Sequence, residues 1–94
     1  MYLVRRTKKF EKSFIKISRG GIKTTLKKEV ATVIDILASG KKLPTKYRDH
    51  KLSGDLSKYR ECHIRPDLLL VYQINEDILV LVLIDIGSHS SIFG

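Results

Sequence analysis

Apolar and polar positions alternate with different periods along the chain. Tyr2, Leu3 and Val4 make a short apolar run suited to a strand, and Thr7 then offers the hydroxyl of a helix N-cap. Phe10, Phe14 and Ile17 follow at helical spacing, and Gly20 and Gly21 stop that helix. Ile22, Leu26, Val30, Val33 and Leu37 form one stripe of a second, longer helix closed by Gly40, with Lys23, Lys27 and Lys28 mostly on its polar side. Two amphipathic helices cannot make a domain core unaided, so this hairpin needs another layer to rest on.

From Lys41 to Lys58 the pattern is that of a loop, with Pro44, Gly54, scattered charge and little periodicity. Loops of this length in small domains tend to be functional, and Tyr47, Arg48, Asp49, His50 and Leu52 lie inside it. Tyr59–Arg65 alternates, placing Tyr59, Glu61, His63 and Arg65 on one face and Arg60, Cys62 and Ile64 on the other. Pro66 and Asp67 turn the chain, Leu68–Ile74 is a nearly all-apolar strand, Asn75–Asp77 turns again, and Ile78–Ile84 is a further apolar strand. The expected architecture is a single α+β domain spanning 1–94 in the order β-α-α-β-β-β. Two N-terminal helices pack on an antiparallel sheet that the first strand can join at an edge.

Charge adds a partner class. The 94 residues carry 18 Lys and Arg against 10 Asp and Glu, a net charge of +8 that favours polyanions such as nucleic acid or acidic protein segments. Ten of the basic residues precede Glu29, with Glu11 as the one acid among them, and none follows Arg65. Cys62 is the only cysteine, so no internal disulfide can form. The N-terminus turns charged at Arg5, and the apolar stretch from Leu68 is broken by Asn75, Glu76 and Asp77. No signal peptide or membrane span is therefore expected, and the location is cytoplasmic.

The three histidines all lie near loop or turn signals: His50 in the long loop, His63 near a strand end and His89 after the last strand. An antiparallel meander can bring His63, Asp67 and His89 to one end of the sheet, with the loop folding His50 over them. Zinc is one use of such a set, but no His-Glu-x-x-His spacing is present, and Cys62 and His63 point to opposite faces of a strand. The stronger match is acid-base cleavage of a phosphodiester. RNA brings its own 2′-hydroxyl nucleophile, so a ribonuclease needs a base, an acid and cations for the phosphorane, and no metal or other cofactor. Imidazole, with an unperturbed pKa near 6.5, suits both proton roles. Arg48, Arg60 and Arg65 are the nearest candidates for the cations, while Tyr47, Tyr59 and Phe93 can stack on bases or pack. Cys62 reads as a buried thiol.

Three segments carry a family resemblance: Tyr47–Gly54 with its Asp-His pair, Tyr59–Tyr72 with His63-Ile-Arg-Pro66-Asp67, and Gly87–Phe93 with Gly-Ser-His89-Ser-Ser-Ile-Phe93. Together they resemble the YafQ branch of the RelE/ParE toxins of bacterial type II toxin–antitoxin modules. The resemblance implies a microbial-ribonuclease-like fold, with two helices against a twisted antiparallel sheet and the site on the opposite, concave face. It also implies messenger RNA cleavage, often in the A site of the 70S ribosome, and a cognate antitoxin that wraps the toxin. Operator DNA would be bound only through the antitoxin complex. His50, His63, Asp67, His89 and Phe93 carry over as site positions. Two positions depart from the family pattern: Leu68 stands where relatives commonly have an aromatic, and Asp85 where many have an arginine expected to contact the scissile phosphate. A ParE-like toxin that inhibits a protein such as gyrase, and a plain RNA- or ribosome-binding module, are the competing readings.

Overall fold

Thr7 ends the first strand, β1 (Leu3–Arg6), and opens the first helix, α1 (Lys8–Arg19). The computed structural model, which describes residues 1–19 and 24–94, shows how one side chain does both. Thr7 Oγ1 accepts the backbone N–H of Phe10 at 3.0 Å, as an N-cap should, and its own proton is shared between the carbonyls of Leu83 and Ile84 at 2.9 Å each. The start of α1 is thus tied to the last strand. The second helix, α2 (Thr24–Ala38), buries Leu26, Val30, Val33 and Leu37, the expected stripe. Gly40, at φ +83°, provides the left-handed residue after the helix, and its N–H bonds the Leu37 carbonyl at 3.1 Å. The expected stop at Gly20–Gly21 and the stripe residue Ile22 lie outside the described residues.

Four further strands follow: β2 (His50–Lys51), β3 (Arg60–Arg65), β4 (Leu68–Asn75) and β5 (Val80–Gly87), then a short helix, α3 (His89–Phe93). The sheet order is β1-β5-β4-β3-β2. The meander β3-β4-β5 and the added β2 are antiparallel, whereas edge strand β1 runs parallel to β5. A long helical connection between β1 and the meander is what permits that parallel edge. The segment expected as plain loop is more ordered than its composition suggests. It holds β2 and two single 3₁₀ turns, Thr45–Tyr47 and Gly54–Leu56. Tyr47 packs into the core instead of standing free to stack on a base.

Both faces of the sheet are covered. Cys62, Ile64, Leu70, Tyr72, Leu81, Leu83 and Ile86 meet the helices in the main core. Leu69 and Val71, on the other face of β4, are equally buried. Over Val71 lie Leu52 and Leu56 from the loop and Ile92 and Phe93 from α3. This double burial is why β4 reads as an unbroken apolar run. Among the described residues no helix is long and apolar enough to cross a membrane.

Removing the Thr7 hydroxyl takes away a helix cap and the donor to two strand carbonyls. Thr7→Ala should therefore lower stability by about 1–2 kcal/mol, read as a lower urea midpoint with an unchanged m-value.

Candidate active site

Cross-strand pairing assembles one half of the site. His50 of β2 is the register partner of Glu61 in β3, so the two side chains share a face, and His63 lies two residues along the same strand. The Glu61 carboxylate is buried between the imidazoles, with Oε2 at 3.5 Å from His50 Nε2 and 3.9 Å from His63 Nε2. His50 is aimed by its neighbours. Arg48 adopts a left-handed backbone (φ 50°) after the first 3₁₀ turn, and its carbonyl lies 2.9 Å from His50 Nδ1. A carbonyl only accepts, so Nδ1 carries a hydrogen and Nε2 faces Glu61.

The other half is built by the tail. Asp67, in the turn between β3 and β4, accepts two hydrogen bonds on Oδ1, from the backbone N–H of His89 and from its Nδ1–H, both at 3.0 Å. These bonds, the backbone one first, hold the Asp67 carboxyl below the usual carboxylate range. With Nδ1 fixed as the donor, His89 Nε2 is left free. Helix α3 is capped by Ser88, whose Oγ accepts from Ser91 N–H at 3.2 Å, and it sits directly on Gly87. A Cβ at Gly87 would lie 2.5 Å from Ser91 Oγ, so a larger residue there would force the Ser91 hydroxyl to rotate away from its present position. His63 then stands next to both other imidazoles, with ring centres 6.1 Å from His50 and 5.8 Å from His89.

His50, His63, Asp67 and His89 therefore stand together at one end of the sheet, as the turn positions suggested. The arginines are distributed differently. Arg48 lines a small hollow with His63 and Pro66. Arg65 lines the same hollow, but its Nε is paired with Glu29 of α2 at 3.1 Å. Arg60 is not in the site: it pairs with Tyr72 across the sheet and so points to the helix face. There its guanidinium lies 3.0 Å from Asp49 and 3.3 Å from the Tyr72 hydroxyl, which itself donates to Asp49. Burial, reinforced by that bond, pushes the Tyr72 phenol above its ordinary range. Glu61 is the residue whose role sequence reasoning missed, although its face in the strand was legible. Its burial was not.

Phe93 is partly exposed and closes a cavity of about 210 Å³ shared with Tyr59, Val71, Asp85 and Lys9. Asp85 is buried, with Oδ1 accepting Ser13 Oγ–H at 2.7 Å and the Ile86 N–H at 2.8 Å, and with Oδ2 3.6 Å from Lys9 Nζ. The aspartate in the place of an expected arginine is therefore neutralised from α1.

His50, Glu61 and His63 offer one donor atom each within 4.8 Å of one another, a set that suits a divalent ion of the zinc or copper type. Glu61 Oε1 and His63 Nδ1 are also buried without a partner among the described residues. The same lone pairs cannot hold a metal and move protons at once.

The model of the family described as the bacterial toxin of type II toxin–antitoxin system, YafQ, matches residues 2–94. The chain belongs to the YafQ family of type II toxins. The mRNA interferase toxin YafQ of Escherichia coli (strain K12) is 36% identical over 52 residues, 55% of this chain and 54% of that relative, so the match spans about half of the relative's length. The metal-bound toxin from Helicobacter pylori is 41% identical over 99% of this chain and 100% of that one, with a TM-score of 0.88. The E. coli DinJ–YafQ complex shares the fold, with 24% identity, 100% coverage of both chains and a TM-score of 0.84. YafQ-family membership accounts for the α+β architecture, with α1 and α2 against one face of the sheet and the short α3 on the other.

Two outcomes follow from the perturbed groups. Asp67 has a lowered folded pKa, so its hold on α3 is complete above the ordinary aspartate value of about 3.9 and is lost as pH falls through the lowered one. The His89 amide resonance should shift only below that ordinary value, and Asp67→Asn should remove the transition. Burial pushes the Cys62 thiol up to about 12. The folded chain should therefore resist iodoacetamide at pH 8 and become alkylated once unfolded.

Proposed function

We propose that this toxin is an endoribonuclease that cleaves messenger RNA by metal-independent acid-base chemistry. The observation that carries the reading is the clamp on His89: Asp67 takes its Nδ1–H and its backbone N–H, leaving Nε2 for proton transfer beside the Glu61 carboxylate and its two imidazoles. In this scheme Glu61 takes the proton of the 2′-hydroxyl and the 2′-oxygen attacks phosphorus. The bond to the 5′-oxygen breaks, and His89, entering the step as an imidazolium with hydrogens on both ring nitrogens, gives its Nε2 proton to that leaving oxygen. Products are a 2′,3′-cyclic phosphate and a 5′-hydroxyl. His50 and His63, when protonated, place positive charge beside the phosphorane, and Arg48 adds a further cation at that end. Asp67 orients His89 without touching the reacting atoms.

The E. coli relative is an mRNA interferase, which supports the substrate class. Messages on the 70S ribosome in the cytoplasm are the proposed target. The DinJ–YafQ complex supports a cognate antitoxin as partner, and the basic positions of β1, α1 and α2 offer an acidic segment of it a landing surface. Operator DNA would be contacted through that complex.

His89→Ala and Glu61→Gln should each slow cleavage of a defined RNA by about 100-fold or more, with unchanged circular dichroism and a cyclic phosphate at the residual ends. Full cleavage by His89→Ala would overturn the assignment. EDTA should leave the wild-type rate intact, whereas added Cu²⁺ or Zn²⁺ should inhibit by occupying His50, Glu61 and His63, and EDTA should reverse that inhibition.

A further inference from the structure

Position 85 leaves a question about how the site holds RNA. An arginine there would place a cation on the concave face; this chain places a carboxylate on it. We propose that Lys9 supplies the missing charge, and that Asp85 with Ser13 forms a seat that holds the Lys9 ammonium at the site's edge to bind an RNA backbone phosphate. The inference rests on the RNA-cleaving reading and deepens it.

Three observations carry it. The first is the geometry of the seat. Asp85 is 4% exposed and is fixed from below on Oδ1 by Ser13 and the Ile86 amide, so its second oxygen has one fixed direction, toward Lys9 Nζ at 3.6 Å. The Lys9 side chain, by contrast, is 69% exposed, so its remaining N–H donors face solvent. A buried carboxylate needs only compensation; an exposed ammonium held in one place by it can also meet an incoming anion.

The second observation is register. Asp85 pairs with Val71, Val71 with Glu61, and Glu61 with His50, so the seat and the catalytic carboxylate lie in one row across the sheet. Two strand spacings put their backbones about 10 Å apart. Lys9 also lines the cavity that Tyr59 and Phe93 close, where a base next to the bound phosphate can stack. The third is the commitment of other cations. Arg60 is turned to the helix face on Asp49, Arg65 is paired with Glu29, and Arg48 lies at the opposite end beside His63 and Pro66. Among the described residues that line the cavity at the Phe93 end, Lys9 is the one cation, while Lys58 stands 5.2 Å over the Tyr59 ring without lining it.

The test is binding of a fully 2′-O-methylated single-stranded RNA, which cannot be cleaved, titrated across salt concentrations alongside cleavage of the unmodified strand. Lys9→Ala should weaken binding about tenfold at low salt and reduce the salt slope by about 0.7, the share of one phosphate contact on a single strand. Lys9→Gln, which keeps the side chain's length and polarity, should behave the same if the alanine variant unfolds. Lys9→Arg should retain both affinity and slope, and Lys28→Ala on the helix side should retain the wild-type slope. Lys9→Ala or Lys9→Gln with wild-type affinity and slope, and only a lower melting temperature, would overturn the proposal by showing Lys9 to be a mere counter-ion of Asp85. Wild-type binding without cleavage would overturn the catalytic reading alone, leaving Lys9 to be judged on the slopes; no RNA binding at all would overturn both.

Discussion

The site depends on one extra residue in the last strand. Between Asp85, opposite Val71, and Leu83, opposite Tyr72, Ile84 is left unpaired in the ladder. Side chains in a strand alternate, so without this bulge Leu83 and Asp85 would share a face and Ile86 would point away from the helices. With it, Leu83 and Ile86 both enter the core while Asp85 and Gly87 turn to the face covered by α3. Thr7 stabilises the irregularity by donating to the carbonyls of Leu83 and Ile84 as it caps α1. The same few atoms therefore fix where α1 begins, where α3 lands and where His89 and Lys9 stand.

On that scaffold the polar groups are arranged in two clusters of different character. At the β2–β3 edge a buried carboxylate lies among imidazoles, with Glu61 Oε1 and His63 Nδ1 lacking partners among the described residues. Unsatisfied buried polar atoms cost stability, about 1–3 kcal/mol each, and such a cost is retained where it serves chemistry. At the β5–α1 side Asp85 is fully engaged by Ser13, a backbone amide and Lys9, an arrangement that positions charge without leaving an orphan. The two clusters are joined by a row of paired residues across four strands.

The metal-ligand geometry of His50, Glu61 and His63 is compatible with the acid-base reading. Proton transfer at neutral pH uses imidazole and carboxylate, and these are also the donors that bind zinc or copper. Under the proposed acid-base scheme the metal-ligand set is a by-product of the same donor chemistry, and occupation by a metal would compete with proton transfer.

Local patterning determined a good deal by itself. The helical stripe from Leu26 to Leu37, the Thr7 cap, the apolar meander and the turn positions of His63, Asp67 and His89 were all legible, because periodicity, capping and turn chemistry act over a few residues. The split of β3 into a polar and a core face also followed from alternation alone. Pairing across the chain had to decide the rest. Only β2's register with β3 buries Glu61 beside His50, and only the β3–β4 register turns Arg60 onto Asp49 and Tyr72 instead of toward the histidines. Only the docking of α1 against β5 brings Lys9 and Ser13 to Asp85, 76 and 72 positions away in the numbering from which they were read as an unrelated basic helix. A carboxylate at position 85 is a repulsive charge when read along the chain; it becomes the seat of a cation once a distant helix supplies the partner, because electrostatic sign at a site is set by neighbours in space.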